Sequence, residues 1–164
     1  MKLLFFHQLQ EDKVIVIQKN PFNYAKELDI FSKKNKLSGA ISSFLGKVRD
    51  FSNLQKIDAI FIEHYEKMTK FQLLRIIEEA KNKWDIDDII IIHRFGRLKI
   101  GENIVLIAVA SKHREESLKS VEFIINWLKI KATFWKKEIS NDNTTWVKQK
   151  ESDIDKVKKY NTSF

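Results

Sequence analysis

The sequence predicts an α+β fold with a mainly antiparallel sheet and two long amphipathic helices. Residues 89–92 and 104–110 are continuous apolar runs of strand length, which is typical of central strands covered on both faces. Residues 70–83 and 115–131 show apolar side chains at helical spacing. The predicted strands and helices do not alternate regularly along the chain, and this order favours α+β over a doubly wound parallel sheet.

The N-terminal part of the chain predicts two short strands and a short helix. Residues 2–6 and 14–17 are strand-like and flank a polar turn. The pair Asn20-Pro21 is a helix-start signal, because proline fits the first turn of a helix. Apolar side chains then recur every three residues from Phe22 to Phe31, which supports a short helix.

Two further strands follow this helix, with a polar loop between them. Residues 37–48 are rich in small and apolar side chains, and within them Gly39 and Gly46 mark points of bulging or close backbone approach. Residues 50–56 are polar and predict a loop, and residues 57–65 predict the next strand.

The two long helices differ in their sequence signals. The first begins after Thr69, which forms a capping-box pattern with Gln72. In the second, four apolar side chains are expected to face the core: Leu118, Val121, Ile125 and Leu128. The opposite stripe of that helix is polar and contains Glu115, Lys119, Glu122, Asn126 and Lys129.

The remaining segments complete the predicted domain. Gly101 lies between the two central strands, in a connection that can turn a hairpin. Residues 134–139 and 145–148 predict two late strands, and the charged tail from Asp153 predicts a frayed helix. No linker or internal repeat divides the chain, so we expect one domain over residues 1–164.

Charge and cysteine content limit the classes of function. The chain has 30 Lys and Arg against 22 Asp and Glu, a formal net charge of +8, and no cysteine. The missing cysteine excludes a disulfide scaffold, a cysteine-ligated metal site, a thiol nucleophile and a protein-bound persulfide. The positive excess is local, because residues 31–50 contain five cations against one anion and residues 112–138 contain seven against four. Local positive charge fits a small anionic ligand as well as a polyanion.

Apolar segments are short throughout the chain. Residues 1–7 are followed at once by polar residues, and residues 104–110 are strand-sized, far below the roughly 20 residues of a membrane helix. Together with the lack of cysteine, this favours a cytoplasmic location.

Two short cationic segments are candidates for binding an anion, since the common phosphate-loop, dinucleotide, metalloprotease and nucleophile-elbow motifs are absent. Lys47 and Arg49 are one residue apart at a predicted strand end, so both point to one side and can clamp a phosphate. Ser111-Lys112-His113-Arg114 stands where a buried strand leads into a helix, whose first N–H groups favour anions. By spacing alone, the first segment fits a solvated strand end better. The second fits an anion site and an ordinary loop, with Ser111 as N-cap, equally well.

Lys129 and Lys136 resemble surface lysines when judged by spacing alone. Lys129 falls on the polar stripe of a predicted helix, and Lys136 follows two aromatic residues, Phe134 and Trp135. Aromatic residues beside lysines also occur in single-strand nucleic-acid sites. A basic nucleic-acid-binding module is therefore the main alternative from another class, and it predicts salt-dependent binding to generic DNA or RNA.

A series of short motifs stands in a fixed order between about residues 38 and 152. In chain order they are Gly39-Ala40, Phe44 with Gly46-Lys47-Val48-Arg49, Glu63-His64-Tyr65 with Met68, Ile92-His93-Arg94-Phe95-Gly96, Gly101-Glu102, Ser111-Lys112-His113-Arg114, Trp127-Leu128-Lys129-Ile130-Lys131, Phe134-Trp135-Lys136-Lys137-Glu138 and Trp146. This ordered set resembles the large, catalytic subunit of molybdopterin synthase. Each motif is short, but their order and spacing make the resemblance specific.

The resemblance implies an α+β fold of the α/β-hammerhead type and a homodimer of large subunits. A small ubiquitin-like subunit at each end would complete a heterotetramer. It implies a sulfurtransferase of molybdenum cofactor biosynthesis that converts cyclic pyranopterin monophosphate into molybdopterin by inserting two dithiolene sulfurs. The sulfur arrives as a thiocarboxylate on the C-terminal Gly-Gly of the small subunit, which enters a pocket of the large one. We expect no cofactor, no metal ion, no nucleic-acid partner and no membrane association.

The resemblance also assigns roles to residues position by position. It implies that Lys129 and Lys136 are catalytic. Substrate binding falls to three stretches: Lys47, Val48 and Arg49; His113 and Arg114; and Lys136, Lys137 and Glu138. The sequence departs from the family pattern at Thr133, where proline is common, and in the loop 50–56. A scaffold that has lost catalysis is a second alternative, against which the retained catalytic and binding residues argue.

Overall fold

The structure, a computed structural model, describes residues 14–52, 55–140, 143–148 and 151–160. The strand predicted over residues 2–6 lies outside these ranges. Within them the strands are β1 (Ile15–Gln18), β2 (Ala40–Lys47), β3 (Phe51–Ser52), β4 (Gln55–Lys56), β5 (Ala59–His64), β6 (Ile86–Arg94), β7 (Gly96–Lys99), β8 (Asn103–Ser111), β9 (Phe134–Ser140) and β10 (Asn143–Trp146). The helices are α1 (Tyr24–Lys34), α2 (Glu66–Lys83), α3 (Arg114–Lys131) and α4 (Glu151–Lys158).

The first sheet has the strand order β1-β6-β8-β2. Its central strands β6 and β8 pair antiparallel, with Ile91 opposite Ile107. β1 pairs parallel to β6, and β2 pairs antiparallel to β8. Side chains of β8 are buried on both faces from Val105 to Ser111. The two apolar runs are therefore central strands covered on both faces, as predicted.

Helices cover both faces of this sheet. α1 lies on one face, where Phe31 packs against Ala108 and Ala110 of β8. α3 lies on the other face, on β2 and β8, and the hydroxyl groups of Ser42 in β2 and Ser117 in α3 are hydrogen-bonded at 2.7 Å. α2 packs on β6 and beside α3. Among the described residues, no helix has the length and apolar character needed to cross a membrane.

The second sheet has the strand order β10-β9-β5-β7, and all of its pairs are antiparallel. Its inner face contains an apolar cluster, in which Ile60 and Ile62 of β5 and Leu98 of β7 pack with Val48 and Ile57. β3 and β4 form a separate two-stranded pair within the segment predicted as a polar loop. Two mostly antiparallel sheets and four helices within the described residues confirm the predicted α+β class.

Gly39 and Gly46 are both points of close approach, as predicted. A Cβ atom on Gly39 would collide with the carbonyl oxygen of Lys112, and one on Gly46 would lie 2.7 Å from Cγ1 of Val105. The β2–β8 ladder also shifts register between Gly46 and Lys47. Gly39 therefore lets the segment before α3 pass close to the start of β2. Gly46 makes room for Val105 directly before the register shift at Lys47.

The connection between the two central strands is longer than a hairpin turn. It contains β7, which pairs with β5 in the second sheet. Gly101 lies after β7 with φ of +80°, a conformation that glycine adopts without strain. The glycine therefore takes the chain from one sheet back to the other instead of closing a hairpin between β6 and β8.

The helices α1 and α2 do not begin where the sequence signals predicted. α1 begins at Tyr24 instead of at Asn20-Pro21, because Asn23 is the N-cap and its side-chain oxygen accepts a hydrogen bond from Lys26 N at 3.1 Å. α2 begins at Glu66, so Thr69 lies inside the helix. The capping-box prediction was wrong because the buried hydroxyl of Thr69 bonds instead to the hydroxyl of Thr133, at 2.8 Å.

The buried face of α3 differs in part from the predicted apolar stripe. Val121 and Leu128 are buried as predicted, whereas Leu118 is 60% exposed. The small side chains of Ser117 and Ser120 are buried instead. Apolar periodicity missed this because the helix meets the sheet partly through serines, which a hydropathy pattern counts as polar.

The charged C-terminal segment forms a packed helix and not the frayed one that its composition predicted. Val157 of α4 is buried, and Tyr160 meets Phe123 of α3 edge-on, with 4.8 Å between ring centroids. Lys159 adds an ion pair to Glu122 of α3 at 2.6 Å. A few apolar anchors are enough to hold this polar helix against α3.

Candidate functional site

Five predicted site residues meet at a small cavity between the two sheets: Lys47, Val48, Arg49, Lys136 and Glu138. The cavity has a volume of about 70 Å³, and Ile57, Ile60 and Ile104 complete its lining. Three cationic side chains and one carboxylate therefore surround a pocket with apolar walls. Such a pocket attracts a small anion, since low-dielectric walls strengthen the attraction of each charge.

The backbone of Val48 holds Lys47 and Arg49 at this cavity. Val48 N donates to the carbonyl oxygen of Glu102 at 2.9 Å, and the carbonyl oxygen of Val48 accepts from Gly101 N at 2.8 Å. The Val48 side chain is buried in the core of the second sheet. Its two cationic neighbours both reach the cavity, as their spacing predicted.

Lys136 and Glu138 enter the cavity from β9. Their ladder partners in β5 are Ile62 and Ile60, so they project on the same inner face as these two isoleucines. Lys136 Nζ lies 3.3 Å from Glu138 Oε1. A lysine in contact with a carboxylate forms a pair that can give and take a proton at one place.

Lys137 projects from the opposite face of β9 and does not line the cavity. Its Nζ lies 2.7 Å from Glu63 Oε1 and 4.2 Å from the centroid of the Trp146 ring. These contacts tie β9 to β5 and β10. The structure therefore does not bring Lys137 together with the other residues predicted to bind substrate.

Lys129 lies outside the cavity, near the C-terminal end of α3. Its side chain is half-exposed, and Nζ lies 3.9 Å from Asp153 Oδ1 of α4. α3 ends at Lys131 and β9 begins at Phe134, so a short connection separates Lys129 from the strand that presents Lys136. The two predicted catalytic lysines thus flank one turn of the chain but do not share a pocket.

His113 and Arg114 lie at the far end of the first sheet from the cavity. His113 is the N-cap of α3, and the hydroxyl of Ser111 donates to its carbonyl oxygen at 2.6 Å, so Ser111 is not the N-cap. Lys47 and Ser111 stand at opposite ends of the β2–β8 ladder. At about 3.3 Å per residue these ends are roughly 26 Å apart. Within one chain, the two predicted anion-binding segments are therefore not brought together.

A cluster of histidine and phenylalanine rings beside the start of β9, in which His93 is buried, was missed by sequence reasoning. His93 stacks on Phe134 with 3.7 Å between ring centroids, and His64 lies 4.4 Å from Phe95. Nδ1 of His93 is hydrogen-bonded to the carbonyl oxygen of Arg94 at 2.8 Å. Because Phe134 starts β9, this stack fixes the strand that presents Lys136. The signal in the sequence is a histidine-arginine pair directly after an apolar strand, to which no role was assigned.

A second cavity, of about 370 Å³, lies beside β1 and the start of α2. It is lined by Ile15, Val16, Ile17, His64, Glu66, Lys70 and Phe95, none of which was predicted as a site residue. Burial lowers the pKa of His64 here, and the nearby Glu66 carboxylate opposes that shift. The imidazole of His64 is therefore more readily neutral than an ordinary histidine.

We expect the stability of the fold to depend on pH through His93. Burial lowers the pKa of His93 from 6.5 to about 4, although its hydrogen bond to the backbone of Arg94 acts in the opposite direction. The unfolded chain takes up this proton near the ordinary pKa, so between these two values the unfolded state binds more protons. The free energy of unfolding should therefore fall by about 3 kcal/mol from this group as the pH drops through that range.

Urea unfolding from about pH 7 to about pH 4 measures this dependence. His93→Phe keeps an aromatic ring against Phe134 and should lose the corresponding part of the slope. His113→Gln, at an exposed histidine, is the control and should keep the full slope. Equal slopes in the wild type and His93→Phe would show that His93 is not the responsible group.

The α+β fold encloses a cationic cavity between its two sheets, with a lysine–carboxylate pair in the wall, and this arrangement is suited to a protein that binds a small anion and moves a proton beside it. A thiol nucleophile is not available to it, since the sequence has no cysteine. The chain belongs to the MoaE protein family, whose model, described as MoaE protein, matches residues 17–131.

Relatives and solved structures agree with this family. A molybdopterin synthase catalytic subunit from Haemophilus influenzae is 38% identical over 149 residues, which cover 91% of this chain and 99% of the relative. The molybdopterin biosynthesis MoaE protein from Burkholderia ambifaria MC40-6 superposes with a TM-score of 0.77 at 34% identity, covering 92% of this chain and 99% of that one. A protein-protein complex of subunits 1 and 2 of the molybdopterin-converting factor from Helicobacter pylori 26695 shares the fold, with a TM-score of 0.71 at 22% identity and 83% and 91% coverage. The resemblance inferred from the ordered motifs is confirmed.

Proposed function

We propose that this chain is the catalytic subunit of a molybdopterin synthase, a sulfur-transferring enzyme of molybdenum cofactor biosynthesis. It transfers sulfur from the C-terminal thiocarboxylate of a small ubiquitin-like subunit to cyclic pyranopterin monophosphate and so forms the dithiolene of molybdopterin. Family membership supports the reaction. The cationic cavity formed by Lys47, Arg49 and Lys136 is the observation that carries the substrate assignment.

The cavity suits the phosphate of this substrate. Arg49 offers a planar fork for two phosphate oxygens, and the two lysines add point charges. A volume of about 70 Å³ is well above the roughly 10–15 Å³ that one water needs, so the cavity admits a small polar group such as a phosphate. In this proposal the phosphate enters the cavity and the larger pterin rings lie at its mouth, where further residues hold them.

The chemistry needs proton transfer more than it needs a nucleophile from this chain. The thiocarboxylate sulfur of the small subunit attacks a carbon of the pterin side chain, and the carbon–oxygen bond at that carbon breaks as the new carbon–sulfur bond forms. The oxygen leaves with the bonding electron pair and takes up a proton, so the two molecules are joined through the sulfur. Water then breaks the bond between that sulfur and the acyl carbon, which releases the small subunit as a carboxylate. The Lys136–Glu138 pair is positioned to move the protons and to stabilise developing negative charge. A second round supplies the second sulfur.

In this proposal Lys129 interacts with the thiocarboxylate terminus of the small subunit, which is the sulfur donor. Its half-exposed ammonium group at the end of α3 is accessible to another protein, and a cation there would attract a thiocarboxylate and aid its hydrolytic release. A Gly-Gly terminus is narrow and flexible, so it can enter as an extended chain bound through its backbone. A small-subunit partner and a cytoplasmic location complete this proposal.

A homodimer would bring the divided substrate-binding residues together. His113 and Arg114 stand roughly 26 Å from the cavity in their own chain, at about 3.3 Å per residue of the β2–β8 ladder. They bind the same substrate as Lys47 and Arg49 only if a second copy supplies them. In that arrangement each site combines the cavity of one protomer with the start of α3 from its partner.

The outer edge of β2 is the surface that fits such a dimer. β2 has eight residues, and within the described ranges no strand pairs with this edge. Residues 40–46 contain no charge and no proline, so the usual barriers to edge pairing are missing until the register shift before Lys47. The exposed Leu118 lies on the face of α3 opposite Phe123, which contacts Trp84, the C-cap residue of α2. Leu118 therefore points away from α2, toward the side of the sheet where β2 is the edge strand.

Twofold antiparallel pairing of two β2 strands, centred near Ser43 and Phe44, places the end of each strand beside the start of the other. Lys47 then lies next to the partner's Ala40, which is paired to the partner's Ser111 across β8. The partner's Ser111 lies about two strand spacings, roughly 10 Å, from Lys47. The partner's Arg114 follows three residues later at the start of α3, so its long side chain and that of Lys47 can approach one ligand from two sides.

The function is tested by its requirement for a sulfur donor. The chain, its thiocarboxylated small subunit and cyclic pyranopterin monophosphate should yield the dithiolene product in a mass-spectrometric assay. The chain with free sulfide should be slower by about tenfold or more, because the donor is no longer held at the site. Equal efficiency with free sulfide would contradict an obligate donor. Salt-dependent binding to generic DNA or RNA without product would favour the nucleic-acid-binding alternative.

A further inference from the structure

The turn between β7 and β8 is hydrogen-bonded to the end of β2, where Lys47 and Arg49 are located. Both backbone hydrogen-bonding groups of Val48 go to this turn, the N–H to Glu102 and the carbonyl to Gly101. Lys47 and Arg49 are the residues on either side of Val48. The separation and direction of these two cations therefore depend on where the turn lies.

The side chain of Glu102 closes this turn. Its Oε2 accepts a hydrogen bond from Lys99 N at 2.8 Å, while its own N–H donates to the carbonyl oxygen of Lys99 at 3.1 Å. The same Oε2 lies 3.7 Å from Nη1 of Arg94. One carboxylate thus links the start of the turn, its end and a cation at the end of β6.

Arg94 fixes that carboxylate to the first sheet. The guanidinium group is buried, and it donates from Nε to the carbonyl oxygen of Lys19 at 3.2 Å and from Nη1 to that of Asn103 at 3.1 Å. A buried cation is stable only with a negative partner, and Glu102 is the carboxylate the described residues give it. Arg94, Glu102 and Val48 therefore form a continuous chain of contacts from the sheet to the cavity.

We propose that Glu102 and Arg94 are positioning residues for the binding of the substrate phosphate. They act through Val48 and hold Lys47 and Arg49 in place before the anion arrives, so that binding does not have to order the loop. The inference rests on the proposed function only in taking the anion to be the phosphate of the substrate. Since neither residue lines the cavity, the effect belongs to binding and not to proton transfer at Lys136.

Binding of inorganic phosphate by calorimetry, together with KM and kcat for the pterin substrate, tests this role. Glu102→Ala should raise both the phosphate Kd and KM by about tenfold while kcat changes by less than about threefold. Glu102→Gln keeps an acceptor for Lys99 N but removes the charge facing Arg94, so it should lie between the wild type and Glu102→Ala. It also provides a readout if the alanine variant does not fold.

Two controls separate positioning from general stability. Glu78→Ala, at an exposed carboxylate of α2, should leave Kd, KM and kcat unchanged. Ile62→Val removes one buried methylene from the core of the second sheet and should lower Tm without raising the phosphate Kd. An unchanged Kd in both Glu102 variants, an equal rise in Ile62→Val, or no phosphate binding by the wild type would overturn the inference. A wild type that binds phosphate but forms no dithiolene would overturn the proposed function and leave the positioning role standing.

Discussion

Lys136→Ala is expected to lower the single-turnover rate of dithiolene formation by about 10³-fold, because both proton transfer and charge stabilisation are lost at the reacting atoms. Lys136 is the cavity lysine that contacts a carboxylate, Glu138. Its removal leaves Lys47 and Arg49 in place, so phosphate binding should weaken much less than the rate. Rapid mixing of the thiocarboxylated donor with the pterin, followed by mass spectrometry of the product, measures the rate.

Two companion variants define what Lys136 contributes. Lys136→Arg keeps the positive charge but gives up its proton far less readily, so it should recover binding and little of the rate. Lys99→Ala removes an exposed lysine from β7 of the same sheet and should behave as the wild type. A wild-type single-turnover rate in Lys136→Ala would show that the assignment of this lysine is wrong.

Mixed dimers of two inactive variants should recover activity that neither variant has alone. Arg49→Ala removes a cation from the cavity of its own protomer. Arg114→Ala removes a cation that, in the proposed dimer, contributes to the partner's site. In a heterodimer one site receives both defects and the other receives none. Random mixing gives half heterodimers, so about one quarter of the wild-type activity should return. Differently tagged chains, coexpressed and assayed together, provide the measurement, and no recovery would place both arginines in one protomer.

The same dimer can be examined without activity, since the chain has no native cysteine. A single Ser43→Cys substitution near the proposed axis should cross-link two chains through a disulfide or a short bismaleimide. Leu37→Cys, at a fully exposed position before β2, should not cross-link because the two copies lie far apart. Recovered activity in mixed dimers without cross-linking at Ser43 would mean that the dimer forms through another surface.

The sequence predicted those parts of the fold that depend on local pattern. Apolar runs over residues 89–92 and 104–110 identified β6 and β8, because a strand buried on both faces has no polar side. Gly39 and Gly46 were identified because a close approach leaves no room for a Cβ. The start of α2 was not predictable in this way. The hydroxyl of Thr69 does not cap the helix but is hydrogen-bonded to that of Thr133, a residue distant in sequence.

At the candidate site, the sequence identified several of the residues that line the cavity, but it did not show which of the predicted residues lie together. The spacing of Lys47 and Arg49 placed both at one cavity, whereas Lys136 could be distinguished from a surface lysine only through the resemblance to a family. Strand alternation would have separated Lys136 from Lys137. The distance between the cavity and His113 could not be predicted, since it depends on how β2 and β8 pair.

Lys136 and Lys137 point to opposite faces of β9, so a shift of the strand by one residue would exchange their positions relative to the cavity. An insertion or deletion of a single residue between α3 and β9 would leave the composition and net charge nearly unchanged, yet it would turn Lys137 inward and Lys136 outward. Three contacts oppose such a slip: the Thr69–Thr133 hydrogen bond, the Phe134 N to Ala132 O bond at 2.8 Å, and the stacking of Phe134 on His93. The length of this connection therefore decides which of the two lysines lines the cavity.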